Sequence, residues 1–370
     1  MKEHSGPKDY RDEILFLELK NNITIEDITL KKGLELPLLR VEFFDGIVEQ
    51  KWIDDISLLS FLLGYSLYSY IDYENSVKDD YVKLKELLTK NLSLVLRSLF
   101  KEKLPQKILL GILRGLSELY PNRGDVICLL GREEEKIYNS QVYQYNVEEN
   151  QRVLEYLTNI YEKVEEDDLH YPFALHRLSY LYTHTGQFLK AKLAEEKVIQ
   201  IAIDEELKEE AREHLKEIFD YSTIEEVEHL IYQGYPREAW NLLERISLDY
   251  PYPGKVNYYK GAILIEEQEF LQAEPYLKKA VEEAPEEMIF REKLGYIYSL
   301  NGKIDEALNE YLVIDSIEEN RFDILYNLGI LYVQKNNKEQ AIHYLKRAYD
   351  LSQNEELKNY IEKIEKSLEN

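Results

Sequence analysis

The chain has 370 residues, 44% of them hydrophobic and 32% charged, which is ample material for folded cores and too long a chain for one compact core. Acids outnumber bases 71 to 46, for a net charge of −25. That excess argues against nucleic acid and anionic membranes as partners, because both would repel it over the Debye length.

The opening MKEHSGPKDYRDE holds no apolar stretch of the kind a secretory signal needs. Over the first 165 residues, apolar spacing predicts helices near 8–20, 37–49, 52–71, 79–103, 105–119 and 150–166. Segment 23–36 alternates in places but is too short to assign strands, so the region is read as helical. Pro105, Pro121 and Asn122-Arg123-Gly124-Asp125 mark breaks. The longest apolar run, Ile56 to Ile71, falls short of the ~20 residues that span a bilayer. Lys78, Lys83, Lys85, Lys90, Arg97, Lys101, Lys103, Lys107 and Arg114 form a basic stretch that reads first as a solvated helix surface. The runs Glu133-Glu134-Glu135 and Glu165-Glu166-Asp167-Asp168 are also expected to be solvated.

Cys128 is the single cysteine, which excludes an internal disulfide and a Cys-based zinc site. Between Ile127 and Leu129 it is expected to be a buried, inert thiol, consistent with a cytoplasmic protein. His170, His176 and His184 lack the i,i+4 spacing that chelates zinc. No phosphate-binding loop, dinucleotide fingerprint or nucleophile elbow occurs, so no enzyme, cofactor or metal is expected.

The second half repeats. Gly261, Gly295 and Gly329 stand 34 residues apart, as do Ala239, Ala273, Ala307 and Ala341. Leu243, Leu277, Tyr311 and Leu345 keep the same spacing. So do Ile246, Ala280, Ile314 and Ala348. Each unit holds two helical stretches of roughly 14 residues, split by turn signals such as Gln233-Gly234, Asn301-Gly302 and Asn336-Asn337. One such hairpin cannot bury its own apolar face, so hairpins stack.

Leu294-Gly295-Tyr296-Ile297-Tyr298 with Ala307 and Tyr311, and Leu328-Gly329 with Tyr332, Ala341 and Leu345, resemble the tetratricopeptide repeat. Gly261, Ala273, Leu277, Ala280 and Pro285 supply another copy. Gly234, Ala239, Leu243 and Pro251 supply a fourth, with Val227 in the small-residue position. Leu178-Ser179, Tyr182, Gly186 and Ala191 form an earlier unit, displaced by one helix, read as Glu205 to Phe219. The resemblance covers about residues 170–352. It implies an all-α, right-handed helical-hairpin solenoid over 151–370, capped by a helix from about 354 bearing Leu357, Tyr360, Ile361, Ile364 and Leu368. Residues 1–150 would be a helical N-terminal region, either degenerate repeats or an unrelated helical cap.

In tetratricopeptide proteins partners lie along the inner face of each first helix, at positions flanking the small residue. Here those positions give the candidate site: Tyr258, Tyr259, Glu292, Lys293, Tyr296, Tyr326, Asn327 and Ile330. Only Lys293 and Asn327 match the clamp with which the chaperone-binding subclass holds a terminal carboxylate. The tyrosine ladder, edged by Glu225, Glu228 and Glu292, implies a peptide or protein that is apolar or aromatic with basic flanks. The resulting expectation is a non-catalytic scaffold or adaptor. The alternative is a two-part regulator, with the solenoid as sensor and residues 1–150 as effector through the basic 78–114 face.

Overall fold

The computed structural model describes residues 7–40, 58–100 and 104–367. The chain divides into two compact units, Met1–Lys216 and Glu217–Asn370.

The first unit opens with a 3-10 stretch, Pro7–Glu13, and four short strands, β1 (Ile14–Glu18), β2 (Ile23–Ile25), β3 (Ile28–Leu30) and β4 (Glu35–Leu39). β1 pairs antiparallel with β4, Ile14 opposite Leu39, and β2 pairs with β3 as a hairpin. These strands replace the helix expected over 8–20 and the start of the one expected over 37–49, whose residues 41–49 lie outside the described residues. The reason is length: runs such as ILFLE are too short to separate helix from strand by periodicity. Within each pair the two strands then supply each other's backbone partners.

Five longer helices follow, with a four-residue helical turn, Tyr73–Ser76, after the first. They are α1 (Leu58–Ile71), α2 (Val82–Ser98), α3 (Gln106–Leu119), α4 (Gly124–Gln141) and α5 (Val147–Tyr161). α1 is apolar on nearly every side and packs against both β4 and α3, the arrangement such a helix requires. The sequence spacing does not predict α4, because the cluster at 122–125 has the composition of a break. It is in fact the helix start: Asp125 sits in the first turn, and Asp168 accepts the Gly124 N–H at 2.9 Å. Asn146 and Glu149 form a capping box at α5. The hairpin α6 (Tyr171–His184) and α7 (Phe188–Ile201) turns at Gly186, where φ is 72°.

α8 (Glu205–Tyr232) is a single helix of 28 residues. The separate helix expected over Glu205 to Phe219 is therefore fused to the first helix of the next repeat, since no breaker lies between them. α9 (Pro236–Leu243) completes that hairpin. Three regular hairpins follow: α10 (Pro253–Glu266) with α11 (Phe270–Glu283), α12 (Met288–Leu300) with α13 (Ile304–Ile317), and α14 (Phe322–Gln334) with α15 (Lys338–Ser352). Each packs on the next, and α16 (Glu355–Lys366) covers α15. Asn354 caps α16, which buries Leu357, Ile361 and Ile364; Leu368 lies outside the described residues.

The 34-residue spacing has a mechanical cause. A Cβ on Gly261 would lie 2.6 Å from Leu277, and one on Gly329 would lie 2.5 Å from Leu345. On Gly295 it would meet the Tyr311 ring at 3.1 Å. Each first helix thus yields space to one large side chain of the second, while Ala273, Ala307 and Ala341 are fully buried.

Candidate functional site

The candidate residues sit on α10, α12 and α14, the first helices of three successive hairpins. They do not share one state. Tyr258 is half-buried and stacks on Phe290 with ring centroids 4.7 Å apart. Its neighbour Tyr259 donates its hydroxyl to Glu228. Burial raises the pKa of both phenols, and the Glu228 carboxylate adds to the effect on Tyr259. These two rings spend much of their area on packing within the array.

Tyr296 and Tyr326 differ: they are 42% and 39% exposed. Tyr326 stacks on Phe322, 5.9 Å away and 40% exposed. Phe322 was missed, although its place one helical turn before Tyr326 could have revealed it. Tyr311, on α13, is buried behind α12. Its ring is buried against Gly295, and burial raises the pKa of its hydroxyl. Glu292 accepts from Arg321 at 2.6 Å, and Arg321 also holds Glu318 and Asp323. Lys293 makes no ion pair among the described residues, and Ile330 is half-buried. The result is an exposed aromatic pair, Phe322 and Tyr326, and an exposed Tyr296, on helices that also carry a carboxylate cluster shared through Arg321.

In the first unit the acidic run Glu133-Glu134-Glu135 is buried, not solvated. Glu133 pairs with Lys136 at 2.7 Å, and Glu135 with Arg177. Glu134 Oε1 accepts from Arg114 Nε at 2.9 Å and from the Tyr156 hydroxyl at 3.0 Å. Charges supplied by other helices decide the matter, and a local charge count cannot see them. The same contact removes Arg114 from the basic stretch, since it is buried with Glu134. Lys83 pairs with Glu86 at 2.9 Å, Lys90 with Asp27 at 2.6 Å and Lys107 with Glu13 at 3.5 Å. Lys101 and Lys103 lie outside the described residues.

A second polar cluster went unseen. Glu195 on α7 is fully buried, as are His176 and Ser179 on α6 and His214 on α8. Its carboxylate meets His176 Nδ1 at 2.9 Å and His214 Nδ1 at 2.8 Å and accepts from the Ser179 hydroxyl. Burial alone would raise its pKa, but these hydrogen bonds outweigh burial and hold Glu195 below the usual carboxylate value. Cys128 is buried as expected, and burial pushes its thiol up to about 12. Among the described residues no helix is long and apolar enough to cross a membrane, and no group of His, Cys, Asp and Glu could hold a metal ion.

Residues 322–355, which are α14 and α15 with their connections, match the family model of the tetratricopeptide repeat. No curated protein matches the chain. Among solved structures, YrrB, a TPR protein with an unusual peptide-binding site, is similar at 21% identity, covering 55% of this chain and 97% of its own, with a TM-score of 0.37. MamA is similar at 20% identity, covering 48% of this chain and 95% of its own, with a TM-score of 0.36. The family match over 322–355, and the same hairpin recurring at 34-residue spacing before it, show tetratricopeptide repeats in the second half of the chain.

Proposed function

We propose that the chain is a non-catalytic scaffold that recruits a peptide or partner protein along α10, α12 and α14. The observation carrying this reading is the exposure of Tyr296, Tyr326 and Phe322 on successive first helices. Tyrosine gives large contact area at low entropic cost together with a hydrogen-bonding tip. Glu292, Asp323 and the net charge of −25 favour a ligand whose apolar or aromatic residues are flanked by Lys or Arg. Tyr258 and Tyr259 support the platform from within the array instead of meeting the ligand with whole rings. The same reading places the protein in the cytoplasm.

Selection of a random peptide library on the immobilised full chain tests it. The expected motif is an aromatic or branched apolar residue beside Lys or Arg, retained by the wild type and lost by the Tyr296→Ala, Tyr326→Ala double variant. Recovery of the same peptides on both proteins would refute the site.

A further inference from the structure

In a chain this acidic most arginines are met by carboxylates. Within the first unit Arg114 binds Glu134, Arg123 binds Asp125, Arg152 binds Glu148 and Arg177 binds Glu135. Arg97 and Arg132 are exceptions. Arg97, on α2, is exposed and makes no ion pair among the described residues. Arg132, on α4, lies 3.6 Å from Glu133, a carboxylate that Lys136 already holds at 2.7 Å. Its guanidinium sits instead over the Phe100 ring, 5.1 Å from the centroid.

Both arginines line one cleft of about 510 Å³ in the first unit. Leu96, Phe100, Leu129 and Phe173 supply its apolar walls. The other charged group in the wall, Asp125, is gripped by Arg123 through two bonds of 3.0 and 2.6 Å. His170, also in the wall, has its Nδ1 on Asp168 at 3.0 Å. Cys128 lines the cleft as a neutral thiol and brings no negative charge. The cleft therefore combines Arg97, without an ion pair among the described residues, and Arg132, whose one carboxylate lies at 3.6 Å and is shared with Lys136, with an apolar and aromatic lining. Guanidinium forks match carboxylates geometrically, and such pairing is strongest beside apolar surface that excludes water.

We propose that this cleft binds a small organic anion, a carboxylate carried on an apolar or aromatic body. Arg97 and Arg132 hold the head group, and Phe100, Leu96, Leu129 and Phe173 receive the body. All of its lining residues belong to the first unit, so it does not rest on the proposed role of the second unit's aromatic face. Such a carboxylate could come from a free organic acid or from the C-terminus of a peptide ending in an apolar residue.

Isothermal titration of the full chain with 4-phenylbutyrate, 4-phenylbutanol and the peptide acetyl-Gly-Gly-Leu-Phe, as free acid and as amide, tests the proposal. Saturable binding of at least one acid is expected, with its uncharged counterpart at least about fivefold weaker, because charge-assisted hydrogen bonds are lost. Arg97→Gln with Arg132→Gln should weaken the acid by at least about fivefold, while Lys20→Gln with Lys346→Gln, an equal change in charge elsewhere, should not. Circular dichroism checks that each variant keeps its helix content. Tighter binding of the peptide acid than of phenylbutyrate assigns the source to a chain terminus, and the reverse order assigns it to a free acid. The proposal is overturned if neither acid saturates the protein, if the uncharged forms bind as well, or if the arginine variant loses less than the stated factor.

Discussion

Ser179 donates to Glu195 at the same place in its hairpin where Gly261 meets Leu277 and Gly329 meets Leu345. One hairpin has thus replaced the apolar contact of the array with a buried hydrogen bond, and His176 and His214 close around it. A buried carboxylate held this way is costly to disturb from one side, because the partners left behind lose their acceptor.

Replacing Glu195 by Leu should restore the apolar pattern locally yet cost about 3 kcal/mol, since two buried imidazoles lose their partner. Denaturant melts at neutral pH would measure it. The pH dependence has a definite sign. Because the folded-state pKa of Glu195 is depressed, its contribution is fully present above the unfolded-chain value of about 4.3. It is lost as pH falls through the lower folded value. Wild type should therefore lose stability more steeply than Glu195→Leu below that pH.

The contact between first and second helices predicts a graded series. Gly329→Ala places a methyl 2.5 Å from Leu345 and should cost about 1–3 kcal/mol. Gly295→Ala meets the Tyr311 ring at 3.1 Å and should cost less. Equal thermal shifts for the two variants would contradict the packing account.

The hairpin turns offer a gain. Gln268 and Asn336 occupy left-handed backbone, with φ of 63° and 60°, where other hairpins use Gly186, Gly234 and Gly302. Gln268→Gly should stabilise the protein, because the strain of a side chain there outweighs the entropy glycine adds to the unfolded chain. Gly302→Ala should destabilise by about 1 kcal/mol. Chemical melts of both variants give the comparison.

Regular hairpins were legible in the sequence because Gly261, Gly295 and Gly329 report a steric requirement that repeats with every unit. The earlier unit was legible only in part, since Ser179 and Glu195 satisfy the same geometry with polar chemistry. The strands were not legible: β1 finds its partner in β4, some twenty residues on, and all four runs are too short to show a period. Burial of Glu133-Glu134-Glu135 depends on Arg114, Arg177 and Lys136, of which two come from other helices. Of the candidate face, Tyr296 and Tyr326 are as exposed as the helical position implies. Tyr258 and Tyr259 are drawn into packing by Phe290 and Glu228, contacts that cross between repeats.

The central claim is that the exposed aromatic face recruits the partner, and a comparative affinity capture from native lysate tests it most directly. Wild type and the Tyr296→Ala, Tyr326→Ala variant would be immobilised side by side, with circular dichroism confirming equal helix content. The account predicts a protein enriched by the wild type and absent from the variant. Capture of that same protein in equal amount by both would contradict it.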